Sequence, residues 1–297
     1  MEHIFAAFLA LTLSIPAFAL SEGEFLPMAD SGSPFSRVHF VPKNGNHIII
    51  NGVPEKIPPG VGVISGGIIG DVTNACVDKL CGRRLAPLTL YYVYVFMSKG
   101  VMKMDFSTAR HKEDETYGNE VHENDPTRSL VGMIRTDESG RIHGDANSQM
   151  TISWFNRGHT GLAAWIGPEV GHPTVKTCSQ TMQEIPGVYL EFLTFGINSS
   201  FRQAFTVPNV YVSGTVQSDE IGSVVNVQVG INGKPFSHVA SHYQAVRKSL
   251  SSINTVAIGA MGAEEGYVRA SLFMSNVGRG GCATMKSGTL FVSPLHS

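Results

Sequence analysis

Leu88-Thr89-Leu90-Tyr91-Tyr92-Val93-Tyr94-Val95-Phe96-Met97 is almost entirely aromatic, β-branched or aliphatic. Such residues favour extended backbone, and a run with no polar alternation predicts a strand covered on both faces. Ser98-Lys99-Gly100 then turns the chain into Val101-Met102-Lys103-Met104-Asp105-Phe106. There the period of two places Met102, Met104 and Phe106 on one face and Lys103 and Asp105 on the other. Working outward, residues 129–136 and 150–156 read as further strands, with Trp154 as a core anchor. Upstream, residues 38–41 and 47–50 flank Asn44-Gly45, a dipeptide suited to positive φ, and predict a hairpin. Asn51-Gly52 turns the chain again before Val53.

Strand signals continue at residues 188–195, 209–216, 224–231, 255–260, 266–274 and 288–292. Asn232-Gly233 predicts a second hairpin, between 224–231 and 236–240. Residues 242–250 form the one short segment compatible with a helical turn, and they read equally as loop. No glycine-rich loop leads into a long periodic helix, so a dinucleotide- or P-loop-type unit is not supported. The expected fold is all-β: a strand-rich N-terminal module over 37–185, then a β-sandwich or jelly-roll-like domain over 186–297. Residues 21–36, rich in Gly, Ser and Pro, read as an extended arm.

Residues 4–19 are apolar apart from Thr12, Ser14 and Pro16, and end in Pro16-Ala17-Phe18-Ala19. Ala17 and Ala19 give the small-x-small pattern of an export-signal cleavage site. Glu2 and His3 stand where a signal usually carries Lys or Arg. Residues 1–20 thus read as a signal peptide, with a hydrophobic anchor or an assembly-buried helix as the alternatives. The chain has 297 residues and a formal charge of -2, and only 15% of them are charged. An average soluble domain has about 25%. Long-range attraction to nucleic acid is therefore not implied, and none is expected as a partner. Four cysteines, Cys76, Cys81, Cys178 and Cys282, permit two disulfides in any of three pairings; Cys76 and Cys81 are near enough in sequence to close a small loop. Their spacing does not suit a zinc site.

Three sets of residues contain side chains capable of chemistry. His111, Asp114, Glu120, His122 and Glu123 are suitable metal-ligand types, but 107–128 reads as a solvated loop or a loop-facing hairpin without a rigid element to fix them. His143, Asp145, Ser153 and His159 contain the residue types of an acyl-transfer triad without a nucleophile-elbow motif. Glu169, Glu184 and Glu191 supply acids for glycoside hydrolysis with nothing to pair them across a cleft. No catalytic residue, metal or cofactor is therefore expected. For binding, rigid aromatics among small polar residues are the expected platform. Tyr189, Tyr211, Phe236, Tyr243 and Tyr267 are the candidates.

The segments 86–100, 127–136 (Thr-Arg-Ser-Leu-Val-Gly-Met-Ile-Arg-Thr) and 152–156 (Ile-Ser-Trp-Phe-Asn), with the lead-in Ile50-Asn51-Gly52 and Ile57-Pro58-Pro59-Gly60, resemble a module of tail-fibre and minor structural proteins of tailed phages and prophages. That resemblance covers about 48–160. A fainter one, on 229–233 and 265–281, extends over 188–295. It implies a virion structural protein, assembled as a homo-oligomer (commonly a trimer) beside other virion or surface proteins, that contacts a host surface glycan or protein. The apolar leader departs from the family. A secreted bacterial adhesin or binding protein is the alternative, and a glycan-degrading enzyme the second.

Overall fold

Leu90–Ser98 is buried from Tyr91 to Phe96, so the run expected to be covered on both faces is. The computed structural model describes residues 23–28, 36–42, 46–58, 68–142, 144–145, 147–155, 162–195, 209–236, 239–257, 265–278 and 280–292. Lys99 and Gly100 both have positive φ, and turn Leu90–Ser98 into its antiparallel neighbour Val101–Ser107. On its other edge Leu90–Ser98 pairs with Asp125–Arg135. Around this trio an eight-stranded sheet forms, taking in His111–Glu113, Glu120–His122 and Thr151–Ser153 at one side and Ala75–Val77 and Leu80–Arg83 at the other. One face carries Tyr91, Val93, Val95, Met104 and Phe106 against Val38, Phe40, Ile48 and Ile50. The opposite face carries Tyr92, Tyr94, Leu130 and Met133.

The second unit is a sandwich. Its seven-stranded sheet is centred on Gln183–Thr194, Gly266–Val277 and Val224–Ile231; its five-stranded sheet on Ala283–Val292 and Val210–Ser218, flanked by Ala163–Ile166, Val175–Thr177 and Ser251–Ala257. Alternate residues of both sheets meet in one apolar layer, among them Leu190, Phe192, Val227, Leu272, Val212 and Leu290. The outer face of the seven-stranded sheet does not stay bare along its whole length. At one end Leu193 and Phe195 pack on Trp154, Ile152 and Tyr92 of the first unit, forming a buried joint between the two.

Several expectations are corrected. Residues 38–41 and 47–50 do not pair across Asn44-Gly45, which lies outside the described residues. Arg37–Pro42 pairs instead with Gly23–Met28 and Ile68–Asp71. His47–Ile50 pairs with Val53–Lys56 through Asn51-Gly52, both at positive φ. A two-residue turn of that kind matches the twist of its strands and closes the shorter loop. Within the segment expected as an extended arm, Gly23–Met28 is a paired strand. The hairpin at Asn232-Gly233 forms, but its return begins two residues earlier than expected, at Lys234–Pro235, and resumes at Ala240–Tyr243, both against Val224–Ile231, so the start of the helical turn considered over 242–250 is strand. The five-stranded sheet also draws on Ala163–Ile166 and Val175–Thr177, so strand pairing crosses the boundary expected at 185/186. Among the described residues the helical structure is the single turn Pro168–Val170, and no helix is long and apolar enough to cross a membrane.

Candidate functional site

The exposed face of the five-stranded sheet collects aromatic side chains from three neighbouring strands. Inward residues Ala164, Leu290 and Val212 fix the pleat, so Trp165, Thr289, Phe291, Tyr211 and Ser213 all point outward. Tyr211 and Phe291 are cross-strand partners whose rings stack at 5.0 Å and 13°. Asn209 Nδ2 donates to the Tyr211 hydroxyl at 3.3 Å. Trp165 lies on the edge-side strand opposite Thr289 and is 52% exposed, an unusual loss of burial for indole. Ser213, Thr215, Ser287, Thr289 and Asn254 surround them with hydroxyl and amide groups, and Lys286 stands exposed further along the Phe291 strand. Rigid rings bordered by hydroxyl and amide groups bind at little entropic cost and supply both an apolar contact and hydrogen bonds.

Of the five aromatics expected to bind, Tyr211 alone belongs to this face. Tyr189 and Tyr267 lie on the outer face of the other sheet, each under an arginine: Arg269 stands 4.5 Å over Tyr189 and Arg135 4.0 Å over Tyr267. The Tyr267 hydroxyl donates to Glu191 Oε1 at 2.5 Å, and Glu184 pairs with Arg269 at 3.0 Å. Burial, then the bond to Glu191, pushes the Tyr267 phenol up. Phe236 and Tyr243 are exposed at 42% and 60% beyond the opposite edge of that sheet, so the five do not converge. Trp165 and Phe291 escaped the sequence reading. Their signal was the short alternation Ala163-Trp165 against Ala164-Ile166, and Thr289-Phe291 against Leu290-Val292.

The polar run 107–128 is the hairpin rather than the solvated loop of the two expectations, with His111–Glu113 paired to Glu120–His122. His111, Glu120, His122 and Arg128 are largely buried, in two separate clusters. In the first, His111 Nδ1 meets Glu120 Oε2 at 2.6 Å and Nε2 meets Glu265 Oε2 at 2.9 Å. The imidazole is ringed by Tyr92, Trp154 and Phe195, with centroids 5.7, 5.1 and 6.1 Å away. Burial alone would lower its pKa, but the bonds to the two carboxylates and their charge raise it to about 9.

In the second cluster Arg128 Nη1 binds Asp105 Oδ2 at 2.7 Å and Nη2 lies 2.9 Å from His122 Nε2. Asp105, expected on a polar outward face, is fully buried, and its other oxygen accepts the Lys79 N–H at 2.8 Å. Burial pushes the Asp105 carboxyl up against the pull of Lys79 and Arg128. Burial and the Arg128 charge hold His122 low, as neutral imidazole. Ser107 Oγ lies 3.2 Å from His122 Nε2, but His122 Nδ1 faces the Asn124 N–H rather than a carboxylate, so no Ser-His-Asp order exists there.

Among the described residues no group of three or more His, Cys, Asp or Glu side chains is placed to hold a metal. His143 and His159 lie outside them. Ser153 is buried and accepts the Phe155 N–H. Glu169 sits in the single helical turn, apart from Glu184 and Glu191. All four cysteines are paired, Cys76 with Cys81 across a tight hairpin and Cys178 with Cys282 across 104 residues.

Neither a protein-family model nor a curated protein matches the chain. Among solved structures it is similar to an insecticidal delta-endotoxin of Bacillus thuringiensis, at 10% identity and TM-score 0.28, over 93% of this chain and 52% of the toxin. The chain thus spans about half the toxin's length. It is also similar to infectious bursal disease virus, Gx strain, at 14% identity and TM-score 0.24, over 94% of this chain and 70% of the viral one. Likenesses this slight assign no function.

Proposed function

We propose that the chain is a non-catalytic binding protein that works outside the reducing cytoplasm and grips a neutral surface glycan on the outer face of its five-stranded sheet. The observation that carries the reading is Trp165, exposed beside the stacked Tyr211–Phe291 pair and bordered by the hydroxyls of Ser213 and Thr289. Sugar rings present C–H faces to such aromatics and hydroxyls to Ser, Thr and Asn. An acidic ligand would want a basic partner, and among the described residues the bases of this sheet, Lys176 and Lys286, lie towards its other end, where Lys176 meets Asp219.

Complete pairing of the cysteines supports an oxidising destination. It also supports the secreted adhesin over a virion protein assembled in the cytoplasm, the setting that the tail-fibre resemblance implies. A structural role at a surface suits both. Titration of the purified chain with neutral oligosaccharides should show saturable binding, with Trp165→Ala weakening it about 30-fold, the size of a truncated aromatic anchor. Tyr189→Ala, on the other sheet, should leave it unchanged. Release of reducing sugar would overturn the non-catalytic reading, and equal loss in both variants would remove the assignment to this face.

A further inference from the structure

His111 joins the two units by a bond whose two halves come from different parts of the chain. Its strand His111–Glu113 lies at the edge of the eight-stranded sheet, beside Glu120–His122, which supplies Glu120. Glu265 immediately precedes Gly266–Val277 of the sandwich. Carboxylates only accept hydrogen bonds, so a ring with an oxygen at 2.6 Å from one nitrogen and 2.9 Å from the other must carry both protons. We propose that the His111 imidazolium is a proton-dependent clamp that fastens the eight-stranded sheet to the sandwich in mildly acidic medium and releases it as the medium turns alkaline.

The charged and titratable groups around the ring support a single-proton device. Glu120 and Glu265 are its bonded partners, and the Tyr92 hydroxyl is directed at Glu265. Arg110 and Glu123 act on Tyr92 from further off with opposite sign. The remaining walls, Trp154 and Phe195, are uncharged. Neutral His111 keeps one N–H, so it must leave one of the two buried carboxylates facing a lone pair, an arrangement that costs far more inside than in water.

The direction follows from linkage. His111 is raised from 6.5 to about 9, so its contribution is complete below pH 6.5 and is lost as pH rises through 9. Burial raises the Glu265 carboxyl but the bond and charge of His111 outweigh it, and the net shift is downward from 4.5. Its contribution is therefore complete above pH 4.5 and falls away below. The clamp is tightest between these limits, at pH 4.5–6.5.

Trp154 touches the ring and reports on it. The chain has two tryptophans, so Trp165→Phe leaves Trp154 as the sole indole. In that full-length background, indole emission quenched by the imidazolium should rise with a midpoint near pH 9. Hydrogen exchange of residues 111–113 and 266–270 should accelerate over the same range. Glu265→Gln, which keeps an acceptor for Nε2–H, should lower the midpoint by at least about one pH unit. His111→Gln should abolish the transition and leave exchange fast at every pH. A midpoint near 6.5, or an emission change with exchange unaltered, would overturn the clamp. Should His111→Gln fail to fold, the shift in Glu265→Gln decides alone.

Discussion

Replacing Arg128 with Met is expected to destabilise the fold by about 3–5 kcal/mol, the cost of leaving one partner of a buried ion pair without the other. Asp105 is fully buried, and among the described residues Arg128 is the cation bonded to it. The same substitution removes the guanidinium contacts to His122 and to Asp125, the latter at 3.2 Å. Asp105→Asn should cost much less. It keeps an oxygen for the Lys79 N–H and removes a carboxylate that burial already disfavours. The double variant should recover most of the loss, because neither charge is then stranded. Urea unfolding of the four proteins checks this. If Arg128→Met and Asp105→Asn proved equally harmful, the pair would be acting through shape rather than charge.

The disulfides should differ in the same assay. In the chain-entropy picture the stabilisation grows with the loop closed. Cys178–Cys282 closes a loop of separation 104 and Cys76–Cys81 one of separation 5. Expected costs of Cys→Ser pairs are about 4.7 and about 2 kcal/mol respectively. The long staple also fastens Val175–Thr177 to the start of Ala283–Val292, a rung with three residue pairs. Its loss should free residues 175–177 to exchange early, whereas loss of the short one should disturb the hairpin around Asp78-Lys79. Equal midpoints for the two double variants would refute the loop-length account.

The sequence reading succeeded where the determining forces are local. Leu88 to Met97 declares a strand by its own composition, and Asn51-Gly52, Lys99-Gly100 and Asn232-Gly233 declare turns by needing positive φ. Trp154 is the core anchor it was expected to be. It failed where partners are distant. His111 looks solvated beside its charged neighbours, and nothing within a window of residues 107–128 reveals Glu265, 154 positions away. Asp105 takes an outward place in the alternation, yet Arg128 and Lys79 cover it. The candidate site failed for the same reason. Tyr211, Phe291 and Trp165 become neighbours only through a strand order in which residues 163–166, 283–292 and 210–218 lie side by side. Aromatics chosen one at a time could not show that three of them share a face.

The path between the two units has a consequence for folding. Gly144–Asp145 and Ser148–Gln149 add to the sandwich, Thr151–Ser153 returns to the eight-stranded sheet, and Ala163–Ile166 goes back to the sandwich. The polypeptide is thereby laced through both bodies, so no single cut yields two halves that each hold a full set of strands. The edge strand Thr151–Ser153 finds its partner in residues 132–134, yet the segments on either side of it wait for partners near residues 191 and 290. Folding should then be slow and dominated by non-local pairing, and a sandwich expressed from residue 162 onward should be destabilised by the loss of the strands at 144–145 and 148–149.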